Sequence, residues 1–273
     1  MALKVWNGGA NNGTFLDAAN WVGGVAPVAT DSILINDTEQ NINGVTTAFA
    51  IVDFTVGPRY RGTIGADGVS LIFTNITGTL QYGGSGAGIR IGCSGTCAAA
   101  KLEHTLGMVW ITGGTWTSVI NGTGNVDIAA AAVLTAGVNI SGTMTIGYNA
   151  TVITNLHNFG YCEFKRSATN VYAKRGTTVQ KDSGSTTTQV TDLLQVENGA
   201  VYNKQSGGTE DSITVFPGGL FTIEGNTGGA TGTLNLGTIT KYAGAKTKTR
   251  TMPGVIVTVT LSSVGTIPGM VDE

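Results

Sequence analysis

VDIAAAAVLTAGVNISGTMTI, residues 126–146, holds two copies of one short pattern: Val126-Asp127-Ile128 before Val133, then Met144-Thr145-Ile146 before Val152. In each, two apolar residues flank a polar one, small residues make a turn, and another apolar residue follows. Alternation with a period of two is the mark of a strand with one face buried, so each copy reads as strand, corner, strand. The pattern recurs at Leu194-Gln195-Val196 before Val201, Ile213-Thr214-Val215 before Leu220, and Leu234-Asn235-Leu236 before Ile239. Extended upstream, its first apolar residues are Ile33, Ile51, Leu71, Ile89, Val109, Val126 and Met144, in steps of 18, 20, 18, 20, 17 and 18. Downstream, Val171, Leu194, Ile213, Leu234 and Val255 continue in steps of 27, 23, 19, 21 and 21. A period of this size built only of strand pieces is a solenoid, each copy covering the apolar face of the one before. The expected fold is all-β: a single-stranded right-handed parallel β-helix with coils of about 20 residues.

Composition agrees. The chain has 273 residues, of which 42 are Gly, and 12% are charged, against roughly 25% in an ordinary domain. Gly and Asn supply the positive φ of sharp corners, while Thr and Val suit pleated strands. Asn43-Gly44, Asn121-Gly122, Asn198-Gly199 and Pro217-Gly218 mark such corners. The one helix-friendly run, Asp127 to Leu134, is short and lies in a strand-turn-strand frame. A net charge of -2 gives no pull toward nucleic acid or anionic lipid, and no stretch has the ~20 apolar residues of a membrane helix. The N-terminus lacks the apolar run of about 7 to 15 residues found in secretory leaders. The expectation is a protein made in a cytoplasm that leaves it only inside a particle.

Three regions are expected. Residues 1–35 form an N-terminal cap, in which Trp6, Phe15 and Trp21 cover the open end of the core that a first coil would otherwise expose. The competing reading of these rings is a ligand-binding platform. Residues 36–243 form the β-helix, with weakened regularity between Leu156 and Ser185 that suggests an inserted loop or a change of cross-section. Residues 244–273 hold the basic run Lys246, Lys248 and Arg250, then a long strand through Val255, Val257, Val259 and Leu261 suited to pairing with a neighbouring subunit, then an extended arm. Lys204 is a candidate to join the basic run after folding.

Catalytic and metal motifs are sparse. Asp192 and Asp211 lie 19 residues apart, and Asp53 and Asp67 are near each other; acids one repeat apart stack at about 4.8 Å, so a lyase or hydrolase could draw on such pairs. A chain with 17 acids on this period produces them by coincidence. Neither His104 nor His157 has a nucleophile in a recognisable frame. Cys93, Cys97 and His104 invite a zinc reading, but a fourth ligand is missing; the two cysteines could close a small loop under oxidation, and free thiols at a corner are the simpler account. Gly83-Gly84-Ser85-Gly86-Ala87-Gly88 opens no helix and reads as a corner rather than a phosphate loop. No catalytic, cofactor or metal residues are assigned, and the chain is read as not an enzyme.

The frame Trp6-x-Gly8, Phe15-x-x-Ala18-x-Asn20-Trp21-x-x-Gly24-x-x-Pro27-x-x-x-Asp31-x-Ile33-x-Ile35 resembles the entry segment before the β-helices of bacterial autotransporter-like and adhesin-like surface proteins and of some bacteriophage structural proteins. It covers about an eighth of the chain. A short, Gly- and Thr-rich β-helix is most similar to a phage virion component. The resemblance implies a homotrimer that decorates a capsid as a cement protein, bound to the major capsid protein, with virion localisation after assembly in the host cytoplasm. The alternative is a tail-fibre, tailspike or adhesin-type β-helix gripping host polysaccharide. Attachment candidates are Trp6, Phe15, Trp21, Lys246, Lys248 and Arg250.

Overall fold

The computed structural model describes residues 1–66, 69–84, 86, 88–103, 107–149, 151–181, 189–205, 208–224, 233–241, 246–250 and 258–266; beyond Thr222 the description is of the backbone. The chain is all-β with coils of about 19 residues in parallel register, a parallel β-helix. It divides into two compact units, Met1–Thr135 with Gly142–Met144, and Ala136–Ser141 with Thr145–Glu273.

In the first unit, one sheet runs in order through Leu3–Trp6, Ser32–Ile35, Phe54–Val56, Ile76–Tyr82, Thr96–Leu102 and Gly114–Asn121. A second sheet runs through Ile42–Asn43, Thr63–Ala66, Gly88–Cys93, Met108–Ile111 and Asn125–Ile128, with Leu71–Phe73 also paired to Gly88–Cys93. Alternate residues are buried: Ile89, Ile91, Val109, Ile111, Val126 and Ile128 fill the core from the second sheet, and Val56, Leu80, Tyr82 and Leu102 from the first. Strands this short hold together because each interior one is hydrogen-bonded on both edges and its inward side chains stack on those of the neighbouring coils.

The periodic series is confirmed where Ile89, Val109 and Val126 stand in register, and again at Val171, Leu194 and Ile213. Elsewhere it hops between sheets. Ile33 pairs with Phe54 in the first sheet, while Leu71 pairs with Ile91 in the second. Leu234 to Ile239, read as strand-corner-strand, is one continuous strand, Thr233–Lys241.

The second unit continues the pattern. One sheet takes in Ile153–Asn158, Ala168–Ala173, Gln189–Val196, Gly208–Val215, Thr233–Lys241 and Thr258–Thr266. The other takes in Tyr161–Phe164, Gly176–Lys181, Ala200–Gln205, Leu220–Glu224 and Lys246–Arg250. Strand pairing continues from Leu156 to Lys181, but the step shortens to 15 residues from Leu156 to Val171 and lengthens to 23 from Val171 to Leu194, so the weakened regularity expected there is present as a short coil followed by a long one; residues 182–188 lie outside the described part. The Thr258–Thr266 portion of the expected long strand pairs in parallel with Thr233–Lys241 of its own chain; Val255 and Val257 lie outside the described residues.

The interior of this unit is not purely apolar. Arg166, Gln180, Tyr202 and Lys204 are fully buried. Gln180 Nε2 donates to the Arg166 carbonyl at 3.0 Å, and Gln180 Oε1 accepts from the Tyr202 hydroxyl at 2.9 Å and from Lys204 Nζ. Arg166 Nε donates to the Gly147 carbonyl at 2.6 Å, and burial lowers its pKa to about 10. Strand ends are pinned by buried asparagines. Asn139 Nδ2 donates to Asn158 Oδ1 at 2.8 Å, and Asn158 Nδ2 to Thr178 Oγ1 at 2.9 Å. In the first unit Asn121 Nδ2 donates to the Gly124 carbonyl at 2.9 Å. Each supplies donors to corner carbonyls that leave the ladder where the chain turns.

Cys93 and Cys97 are joined in a disulfide across the Ser94-Gly95-Thr96 corner, which corrects the free-thiol reading. Cys162 is a buried free thiol whose pKa burial raises.

Candidate functional site

The N-terminal segment is organised by two buried polar side chains. Asn20 Oδ1 accepts from Ala10 N at 2.9 Å, and its Nδ2 donates to Asn12 Oδ1 at 2.7 Å and the Thr14 carbonyl at 3.0 Å. Asp31 accepts from Ala2 N at 2.9 Å and Val28 N at 3.2 Å. These bonds fold a Gly- and Asn-rich loop, whose one regular element is a short 3-10 turn at Ala18–Asn20 capped by Asp17, over the end of the core. The rings sit beneath it: Trp6 to Trp21 and Phe15 to Trp21 meet edge-on at 5.1 Å, and Phe15 meets Phe73 at 5.7 Å. Phe73 in turn meets Phe54 at 5.6 Å and Phe49 at 6.2 Å.

Trp6, Phe15 and Trp21 are only 1 to 2% exposed. Their rings are core, which fits the covering role and removes them both as a ligand platform and as direct attachment contacts. The exposed apolar residues of this segment are others, which the sequence pattern left unmarked. Leu3, Leu16, Val22, Val25 and Val28 are exposed, Leu3 by 63% and Val22 by 58%. Leu3 and Val5 alternate with the buried Trp6 on the outermost strand of the first sheet, and Val22 N donates to the Val5 carbonyl at 2.9 Å. Trp21 turns inward beside Trp6, so Val22 turns outward beside Val5. The available signal was parity: each ring position is flanked by an apolar residue of opposite facing.

Lys246, Lys248 and Arg250 lie on one strand, in register with Leu220, Thr222 and Glu224. They occupy alternate positions of that strand; their side chains lie outside the described residues. Lys204 does not join them. It is in register with Ile223, which pairs with Thr249, and it is buried. Trp6, Phe15 and Trp21 belong to the first unit and the three basic residues to the second.

The outward faces carry ladders of polar and aromatic side chains. In the first unit the Arg90 guanidinium lies 4.1 Å from the Trp110 ring centroid, and Asp127 follows Trp110 in register. Desolvation raises the Asp127 pKa, and Arg90 opposes this. Trp110 thus faces outward under a guanidinium, while Trp116 is buried and donates to the Gly113 carbonyl at 2.9 Å. On the first sheet's outer face Thr55, Gln81 and Lys101 stand in register beside a groove of about 350 Å³. In the second unit His157 stacks on Tyr172 at 4.4 Å, and Lys174 Nζ lies 5.4 Å from the Tyr172 ring and pairs with Glu197. Burial lowers the His157 pKa, Lys174 lowers it further and Glu197 opposes.

The two acid pairs fare differently. Asp53 Oδ1 accepts from Thr79 N at 2.9 Å and Oδ2 from Ser32 Oγ at 3.3 Å, bracing strand ends; Asp67 lies outside the described residues. The register places position 192 beside 211 on adjacent strands, with Asp192 exposed. Among the described residues no group of three or more His, Cys, Asp and Glu side chains is placed to hold a metal ion; His104 lies outside them. No family model matches the chain, and neither does any curated protein or solved structure.

Proposed function

We propose that this chain is a non-catalytic structural component of a bacteriophage particle, a decoration or cement protein that binds the major capsid protein as a homotrimer and stiffens the head. The observation that carries the reading is the division of labour in the cap. Its aromatic residues are all turned inward to seal the coil stack, and its exposed apolar residues, Leu3, Val22, Val25 and Val28, are gathered on the same short segment. Scattered apolar residues need no explanation, but a concentration at one end suits attachment to a protein surface. Parallel coils with saturated backbone bonds supply the durability that a shell component needs.

The test uses particles assembled with the wild-type chain, without it, and with Leu3→Glu/Val22→Glu. The wild-type chain should cosediment with the particles and raise their survival of heat and osmotic shock. The double variant should fold but stay in the supernatant. Equal survival of particles lacking the chain would defeat the reinforcing role, and mass photometry of the free protein checks the trimer.

A further inference from the structure

We infer that the groove beside Thr55, Gln81 and Lys101 is a binding subsite for a neutral oligosaccharide chain. The inference does not depend on where the protein resides in a particle.

The groove lies wholly in the first unit and has a volume of about 350 Å³. Thr55 pairs with Gln81 and Gln81 with Lys101, while the next residues, Val56, Tyr82 and Leu102, turn into the core. The three polar side chains therefore project from one face on successive coils, about 4.8 Å apart, a repeat close to that of successive sugar units. Glu103 and Pro58 also line it.

The chemistry is that of hydroxyl recognition. A threonine hydroxyl and a glutamine amide both donate and accept, a lysine ammonium donates, and a glutamate carboxylate accepts. The charges of Lys101 and Glu103 offset each other, so the groove favours a neutral polyhydroxyl chain over a sulfated or phosphorylated one. The Pro58 ring and the glycine floor supply the apolar surface against which a sugar's C–H face rests.

Two further observations point the same way. The backbone along the groove is already paired: Gly57 N donates to the Ile35 carbonyl at 2.8 Å, Gly83 N to Val56 at 2.8 Å and Glu103 N to Tyr82 at 2.7 Å. An extended peptide would find no strand edge here to add to, so recognition is left to side chains. Secondly, Gly83 is required neither by its backbone nor by packing. It is not among the positive-φ glycines, and a Cβ there would meet only the Glu103 and Val56 carbonyl oxygens, at 3.8 and 3.9 Å. By contrast, a Cβ on Gly57 would run into Asn36 Oδ1 at 2.1 Å. What the missing side chain at 83 does is keep the groove open.

The experiment titrates the full chain with maltohexaose, cellohexaose and a dextran-derived hexasaccharide, using a heparin hexasaccharide and an unstructured peptide as comparators. At least one neutral hexasaccharide should bind saturably. Gln81→Ala should weaken it about three- to tenfold, the loss of one hydrogen-bonding group, and Gly83→Trp, which fills the groove, by about tenfold or more. Circular dichroism melts check that each variant folds. Should Gly83→Trp fail to fold, Gln81→Ala and Lys101→Gln carry the test. No binding by any neutral probe, equal binding by Gly83→Trp or Gln81→Ala, or preference for heparin or the peptide would each overturn the assignment.

Discussion

The two units share one coil pattern and fill it with opposite materials. Around Phe73 the first unit packs ring on ring, with Phe15, Phe49 and Phe54 all within 6.2 Å centroid to centroid, and closes the neighbouring corner with the Cys93–Cys97 disulfide. Around Gln180 the second unit places an arginine, a lysine, a tyrosine and an amide at positions equally shielded from water. A parallel stack tolerates both because its backbone bonds do not depend on what the coils enclose. The penalties for damage differ. A cavity in an apolar core costs contacts roughly in proportion to its size, whereas a break in a buried polar network strands charges in a low dielectric.

The largest expected effect is in the ring cluster. Phe73→Ala should destabilise by about 3–5 kcal/mol, read by denaturant unfolding, with loss of hydrogen-exchange protection centred on residues 1–35. A loss below about 1 kcal/mol would show that the cap is not part of the cooperative core. Gln180→Leu comes next. It removes the acceptor shared by Tyr202 and Lys204 and should cost about 3 kcal/mol. The triple variant Gln180→Leu, Tyr202→Phe, Lys204→Met should recover most of that loss, since apolar replacement of a whole buried polar group is often neutral. If the triple is as unstable as the single, the network provides specificity that apolar packing cannot replace.

Removing the disulfide with Cys93→Ala/Cys97→Ala closes no loop in the unfolded chain and should cost about 2 kcal/mol for so short a span. Thiol counting on protein denatured without reductant should find one free cysteine, Cys162; three would overturn the pairing. The smallest effect is electrostatic. Burial and Lys174 hold the folded His157 below its ordinary pKa of 6.5, against the pull of Glu197. The unfolded chain therefore takes up the proton first, and the His157 contribution to stability is lost as pH falls through about 6.5. The melting temperature should drop between pH 7.5 and 5.5, and His157→Gln should flatten that slope. Equal slopes would show that the Tyr172 stack leaves the imidazole free to titrate.

The sequence made some residues legible and hid others for identifiable reasons. Ile89, Val109 and Val126 were readable as neighbours because a period of two inside a period near 20 has few other solutions. Leu71 was assigned to the wrong step because both sheets carry the same apolar-polar-apolar signature. Lys204 looked like part of a basic surface, yet it shares strand parity with Ala200 and Tyr202, both buried. Charge is ordinarily a guide to exposure, and here the alternation was the better one. Gly83 read as one more corner glycine, and nothing in its sequence surroundings distinguished an open groove from a tight turn.

Local chemistry by itself determined that this chain forms short parallel strands joined by tight corners, because alternation and turn residues act within a few positions of each other. Only the tertiary structure decided which coil stacks on which, that Trp6, Phe15 and Trp21 face inward while Leu3 and Val22 face out, that two cations lie inside, and where a groove is left open. Those outcomes depend on contacts between residues a whole coil apart, and one coil of sequence does not specify which neighbour the next will bring.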